Sequence, residues 1–241
     1  MLVLGYHLWA SAGQSPFFPP VDQILEAFIT TWTGEGFRTH VLPSLTNLAI
    51  GYLGGVALGI VGGVVLAQSR FVRTAVAPVI AFLLALPAVA LVPLFITVVG
   101  IGPSMQRGVI AFAATLYVLV NTTDGLVKVD EGLLDMGAVF RVGPLRRIVL
   151  IQLPSIAPRL LGAGRAALSL CVLIMVVSEM VGASVGIGAV TLLAQQSFQY
   201  RTMWAGMVIV ALIGVVLNAL YGALERPVLA RSGLDPKETS R

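Results

Sequence analysis

Apolar residues run almost unbroken over 42–67, 75–99, 109–127, 163–181 and 203–224, with polar residues confined to the short stretches between. Each run approaches or exceeds the ~20 residues needed to cross a bilayer as a helix. The pattern predicts an all-α integral membrane protein, a bundle of five secure transmembrane helices. At the start, MLVLGYHLWASAG is apolar but shorter, and it lacks the positive flank of a signal peptide. It stands as a short N-terminal sixth helix, clipped or vestigial, and the span count is five or six accordingly. Over 21–32 the pattern turns amphipathic, with Ile24, Leu25, Phe28 and Ile29 set against Asp22, Gln23 and Glu26. That suits a helix lying in the membrane interface or a helix within a loop.

One stretch interrupts the apolar runs differently. Residues 129–158, VDEGLLDMGAVFRVGPLRRIVLIQLPSIAP, carry Asp130, Glu131, Asp135, Arg141, Arg146 and Arg147, too many charges for a lipid-embedded span. The segment is expected in water as helix, turn and helix. Asp130 is placed as an N-cap, with Val129 and Leu134 as a hydrophobic staple. Leu133, Met136, Gly137 and Phe140 fall on one helical face. Gly143 is expected to end the first helix, and Pro144, whose φ is already helical, to open the second.

Here the sequence resembles the permease subunits of bacterial ATP-binding-cassette importers, whose cytoplasmic loop reads E-A-A, three residues, G, nine residues, I, one residue, L-P. Asp135, Met136 and Gly137 stand in the E-A-A places, Ile151 in the isoleucine place, and Leu153 and Pro154 at the matching distance. Arg141 stands where the family has glycine, and Gly143 with Pro144 is expected to supply the turn instead. The likeness extends over roughly residues 17–231. FFPPVDQILEAF at 17–28, SEMVGASVGIG at 178–188 and LAQQ at 193–196 resemble the branch importing sulfonates, taurine, nitrate, bicarbonate or thiamine precursors.

The resemblance implies a coupling loop at 128–158, with Leu133, Asp135, Met136, Gly137, Phe140, Arg141, Gly143, Pro144, Leu153 and Pro154 facing an ATPase. It further implies a second permease copy, two ATPase subunits that carry the ATP and magnesium, and an extracytoplasmic solute-binding protein. This chain itself would bind no cofactor and catalyse nothing. It has no G-x-x-x-x-G-K-[ST] loop, and its only lysines are Lys128 and Lys237. The divisions that follow are an N-terminal segment and interfacial helix at 1–36, a permease domain at 37–231 and a polar tail at 232–241.

Composition agrees. With 57% hydrophobic and 11% charged residues the chain departs from soluble domains, in which charged residues run near ~25%. The net charge of +4 forms no basic patch interleaved with aromatics, so nucleic acid is not an expected partner. Cys171 is the single cysteine and sits in an apolar run, as a packing residue. His7 and His40 have no cysteine or acidic cluster at ligand spacing, so neither a metal site nor a catalytic set is expected.

Within the spans, Gly51, Gly55, Gly59 and Gly63 recur at every fourth position, a stripe that lets another helix backbone approach, within the chain or across a dimer. Pro87 and Pro93 interrupt the second run, either as ordinary kinks or as a lining of the pathway. Asn121, Thr122, Thr123 and Asp124 either cap their helix or touch the pathway. Glu179 near the end of a span is either a translocation or gating residue or a carboxylate facing water. Gly182, Gly186 and Gly188 suggest a flexible turn, and LLAQQSFQY a short helix facing outward.

Alternating sides from the charged segment puts Arg70, Arg73, Lys128, Arg141, Arg146, Arg147, Arg226, Arg231, Lys237 and Arg241 on its face of the membrane. Arg159 and Arg165 snorkel to that side, while Arg38, Arg107 and Arg201 fall on the other. The positive-inside rule makes the segment cytoplasmic in a bacterial inner membrane. A secondary transporter is the alternative reading, but it would be expected to carry internal repeats, and none is evident.

Overall fold

The computed structural model describes residues 2–13 and 15–231, so the polar tail at 232–241 lies outside the described residues. The described chain is helical, with no strand among those residues. In order come α1 (Leu2–Gly13), α2 (Val21–Trp32), α3 (Leu42–Gln68), α4 (Arg70–Ala85), α5 (Val92–Val99), α6 (Pro103–Val127), α7 (Glu131–Val139), α8 (Pro144–Arg147), α9 (Leu153–Ser155), α10 (Ala157–Gly182), α11 (Ile187–Gln196) and α12 (Tyr200–Arg231). Among the described residues, four stretches are long and apolar enough to cross a membrane, Phe37–Gln68, Pro103–Val127, Ala157–Gly182 and Tyr200–Glu225, or five if the broken pair around Pro87 is one span.

That broken pair revises the expected span over 75–99. Helix α4 ends at Ala85 and Leu86 is extended, as expected for a residue preceding proline. A 3-10 turn over Ala88–Leu91 follows, and Pro93 falls in the first turn of α5, where its missing N–H costs nothing. Pro87 therefore breaks the run and Pro93 starts a helix, while Pro78 is carried inside α4.

Two other prolines explain two widened turns. Residues Phe37–Val41 and Ile148–Gln152 are π-helical, with Leu42 N donating to Phe37 O and Leu153 N to Ile148 O. Pro43 and Pro154 follow directly. A proline inside a helix has no N–H and its ring crowds the carbonyl four residues back, so the preceding turn opens by one residue.

The helices are shared between two compact units. The first comprises Met1–Gly51, Ala88–Ile110 and Val172–Val216. Its core includes Trp32, Val41, Met105, Val109, Ile174, Met175 and Ile187. Asn47 Nδ2 donates to Gln106 Oε1 at 2.6 Å, and Arg107 Nε donates to Asn47 Oδ1 at 2.8 Å, joining α3 to α6 through buried polar groups. Helix α1 and the 15–20 segment are held by aromatic contacts among Tyr6, Trp9, Phe18 and Trp204, and by Trp204 Nε1 donating to Phe17 O at 3.0 Å.

The second unit comprises Tyr52–Pro87, Ala111–Cys171 and the described residues from Leu217 onward. In it Tyr52 OH donates to Gly164 O and Tyr221 OH to Leu161 O, both at 3.0 Å, tying α3 and α12 to α10. Arg159 pairs with Asp124 at 3.4 Å across the ends of α10 and α6.

The glycine stripe is filled by α6 within the chain. Gly55 faces Ala111 and Ala114, Gly59 faces Thr115 and Val118, and Gly63 faces Leu119 and Thr122; in the first unit Gly51 faces Arg107 and Ile110. The partners advance in step with the glycines, so α3 and α6 run parallel. Thr115 and Thr123 hydroxyls donate to the carbonyls of Gly55 and Gly63 at 3.2 and 3.4 Å, contacts open only where no side chain intervenes.

Candidate functional site

Helix α7 starts as its sequence dictates. Asp130 Oδ1 accepts from Leu133 N at 3.3 Å, a side-chain cap on one of the otherwise unpaired N–H groups. The helix seats itself through Gly137, which is buried. A Cβ there would lie 2.9 Å from Ile151 Cδ1 and 3.5 Å from Arg147 Cδ, so the π turn and α8 close directly over the glycine.

The end of α7 differs from expectation. Arg141, not Gly143, makes the turn: its φ is 52°, in the left-handed region, whereas Gly143 has φ −59°. Arg141 N donates to Ala138 O and Val142 N to Gly137 O, both at 2.9 Å, the paired bonds of a Schellman cap. The position at which the importer motif has glycine therefore keeps the glycine-type backbone with an arginine on it. Gly143 and Pro144 open α8, Gly143 as its N-cap and Pro144 in its first turn.

The expected single face of α7 divides. Gly137 is buried and Leu133 and Leu134 are half-buried, but Met136 is 51% exposed and Phe140 75%. Val139 at 78% and Leu145 at 77% join them. Asp135, Arg141, Gly143, Pro144 and Pro154 are also exposed, while Leu153 is half-buried. The segment is thus pinned inward by Gly137 and Ile151 and presents these four large apolar side chains outward, with Val149 and Leu150 exposed beyond them. Val139 and Leu145 lie outside the motif; their signal in the sequence was apolar character within a stretch that must sit in water.

The other candidates lie elsewhere. Asn121 Nδ2 donates to Tyr117 O at 2.9 Å and Thr122 Oγ1 to Val118 O at 2.7 Å, both back onto their own helix. Helix α6 continues to Val127, so this quartet does not cap it. Glu179 is 1% exposed and does not face water. Its Oε2 accepts from Gly188 N at 2.8 Å, with Ser44 and Ile187 N beside it. The carboxylate sits at the positive N-terminal end of α11, a favourable place for a buried negative charge.

The glycine turn is also more specific than expected. Gly182 closes α10 and Gly188 lies inside α11; Gly186 alone of the three has positive φ, 131°. A Cβ on Gly186 would meet the Glu179 carboxyl carbon at 2.5 Å. His40 Nδ1 accepts from Gly186 N at 3.3 Å, making that histidine part of the same turn. Helix α11 ends at Gln196, so the last residues of LLAQQSFQY form a turn with Phe198 at φ 57°.

A family described as binding-protein-dependent transport system inner membrane component matches residues 55–229. A protein described as an aliphatic sulfonates transport permease, from Bacillus subtilis strain 168, is 30% identical over 87% of this chain and 76% of its own length. The riboflavin transport system permease RibX of Chloroflexus aurantiacus is 33% identical over 78% of this chain and 70% of its own. The taurine transport system permease TauC of Escherichia coli K12 is 27% identical over 87% and 78%. Among solved structures, a chain of the MetNI methionine ABC transporter in an inward-facing conformation superposes with a TM-score of 0.69 at 19% identity, covering 80% of this chain and 95% of that one.

Proposed function

We propose, for a chain that belongs to the family of binding-protein-dependent transport system inner membrane components, a division of labour in which its 129–158 segment receives an ATPase and its spans conduct a small anionic solute. The chain is a multi-pass permease subunit of an ATP-binding-cassette importer in the inner membrane.

The observation that carries the docking role is the exposure of Met136, Val139, Phe140 and Leu145 on a segment anchored through Gly137. Large apolar side chains held outward in a water-facing segment mark a protein interface. The partner is an ATPase subunit that binds ATP and magnesium; two such subunits on two permease copies would move the two segments together on closing. An extracytoplasmic binding protein delivers the solute, and this chain holds no cofactor.

Sulfonates and taurine are the favoured solutes. Two of the relatives above bear those names, and Arg38, Arg107 and Arg201 place positive charge on the side opposite the docking segment. RibX widens the range to a larger heterocycle.

Coexpression with the neighbouring ATPase, followed by copurification and ATP turnover in lipid nanodiscs, tests the docking role. Wild type retains the ATPase, and the pair Asp135→Lys with Phe140→Asp releases it. A wild-type chain that stays folded and binds no ATPase overturns the reading. Stimulation of turnover by binding protein loaded with a sulfonate, against binding protein loaded with riboflavin, decides the solute.

A further inference from the structure

A cavity of about 360 Å³ opens beside the docking segment, lined by Gln68, Arg70, Arg73, Leu134, Arg147 and Gln152 over an apolar floor from the ends of α3 and α6. At ~30 Å³ for each water in the liquid, that is room for roughly a dozen waters or for one polar headgroup. Three arginines line it and no carboxylate does. Among the described residues none of the three forms an ion pair.

Two local features go against the ordinary rules of folding. Arg70 and Arg73 occupy the first turn of α4, where the helix dipole disfavours cations. Arg147 Nε and Gln152 Oε1 are buried without a hydrogen-bond partner among the described residues, and Gln152 is only 7% exposed. A bound anion resolves both. It turns the charge at the start of α4 from repulsive to attractive and gives Arg147 Nε an acceptor. The Gln152 amide, whose oxygen and nitrogen exchange on a 180° turn, can then present its N–H group.

The depth of the cavity selects the source of the anion. Gln68 closes α3 and Val127 closes α6, so the cavity lies at the ends of two spans, at headgroup level on the side rich in Lys and Arg. Phe71 and Val72, between the two arginines of α4, are exposed and offer apolar contact to an acyl chain. We infer that this cavity binds the phosphate of an anionic phospholipid headgroup from the cytoplasmic leaflet. The inference rests on the membrane orientation of the chain and is independent of ATPase docking. Because Arg147 also packs its stem over Gly137, the lipid braces the segment that bears the exposed apolar row.

The test reads lipid retention on the full-length permease, equilibrated in phosphatidylcholine with a quarter phosphatidylglycerol, then delipidated and examined by native mass spectrometry. Wild type is expected to retain phosphatidylglycerol in preference to phosphatidylcholine. Arg70→Gln with Arg73→Gln, and separately Arg147→Gln, should each lower that retention by roughly tenfold. Lys128→Gln, on the same side but outside the cavity, should leave it unchanged. The charge-preserving pair Arg70→Lys with Arg73→Lys keeps retention and controls for folding. Equal retention in wild type and both glutamine variants, or an equal loss in Lys128→Gln, overturns the inference. So does inorganic phosphate that raises the melting temperature in pure phosphatidylcholine as far as phosphatidylglycerol does, since the site would then take free phosphate. Loss of ATPase copurification with lipid retention intact would assign the arginines to a partner's carboxylate and overturn it as well.

Discussion

Gly137 lies directly beneath Ile151, close enough that a Cβ on the glycine would come within 2.9 Å of Ile151 Cδ1. The contact ties the middle of α7 to the π turn that precedes Pro154, so two separated parts of the motif meet at one point. Ile151 Cδ1 is the end of a flexible side chain and can give way by a few tenths of an ångström. Gly137→Ala should therefore be close to neutral, its small overlap offset by the ~1 kcal/mol helix preference of alanine over glycine. Gly137→Leu should overpack the contact by about 1–3 kcal/mol and displace α7. ATPase copurification from membranes that still contain the folded permease would show the difference.

Arg141 carries a left-handed backbone that costs an L-residue about 1–2 kcal/mol. Arg141→Gly should raise the melting temperature and slow hydrogen exchange over 139–143. Gly143→Ala should change little, because Gly143 has an ordinary negative φ and open space where a Cβ would go. Had Gly143 made the turn, the two results would be reversed.

Gly55 and Gly54 are neighbours with opposite prospects. A Cβ on Gly55 would meet Ala111 O at 2.6 Å, a backbone atom that cannot swing away, while Gly54 has nothing within 4 Å. Gly55→Leu should cost about 3 kcal/mol or more and leave little protein in the membrane. Gly54→Ala should accumulate like wild type. Fluorescence-detected size exclusion of tagged variants reads both.

Glu179 should behave as a structural residue. Glu179→Gln keeps an acceptor for Gly188 N and should retain transport per folded molecule. Glu179→Leu leaves that buried amide unpaired, at about 1–3 kcal/mol, and should lower the yield of folded protein. A Gln variant that folds fully yet transports nothing would return Glu179 to a direct role in translocation.

Much of this was legible in the sequence. The apolar runs marked the spans because a bilayer imposes a length on them, and Asp130 announced the start of α7 through a rule that needs only local bonds. Less legible were features set by atoms distant in the chain. The glycine stripe indicated close packing but not its partner, which only the fold supplies in α6. Gly143 drew the turn assignment because glycine is the usual left-handed residue, and nothing local reveals that Arg141 bears that conformation instead. Glu179 read as a water-facing or pathway carboxylate because its partner, Gly188 N, is reached only once the 183–186 turn closes. Pro43 and Pro154 were visible, but the π turns they impose were not read from them.

The α3 and α6 contact has a mechanical consequence. Gly55, Gly59 and Gly63 each meet the residue 59 positions further on, Ala114, Val118 and Thr122. Because the recesses repeat every fourth residue, a matched sliding step would have to be four residues, about 6 Å at 1.5 Å per residue, and smaller displacements would drive side chains into backbone. Over that interval the two helices act as a ratchet locked on a single tooth, so cysteines placed at 62 and 119 should crosslink equally well in every nucleotide state of the transporter.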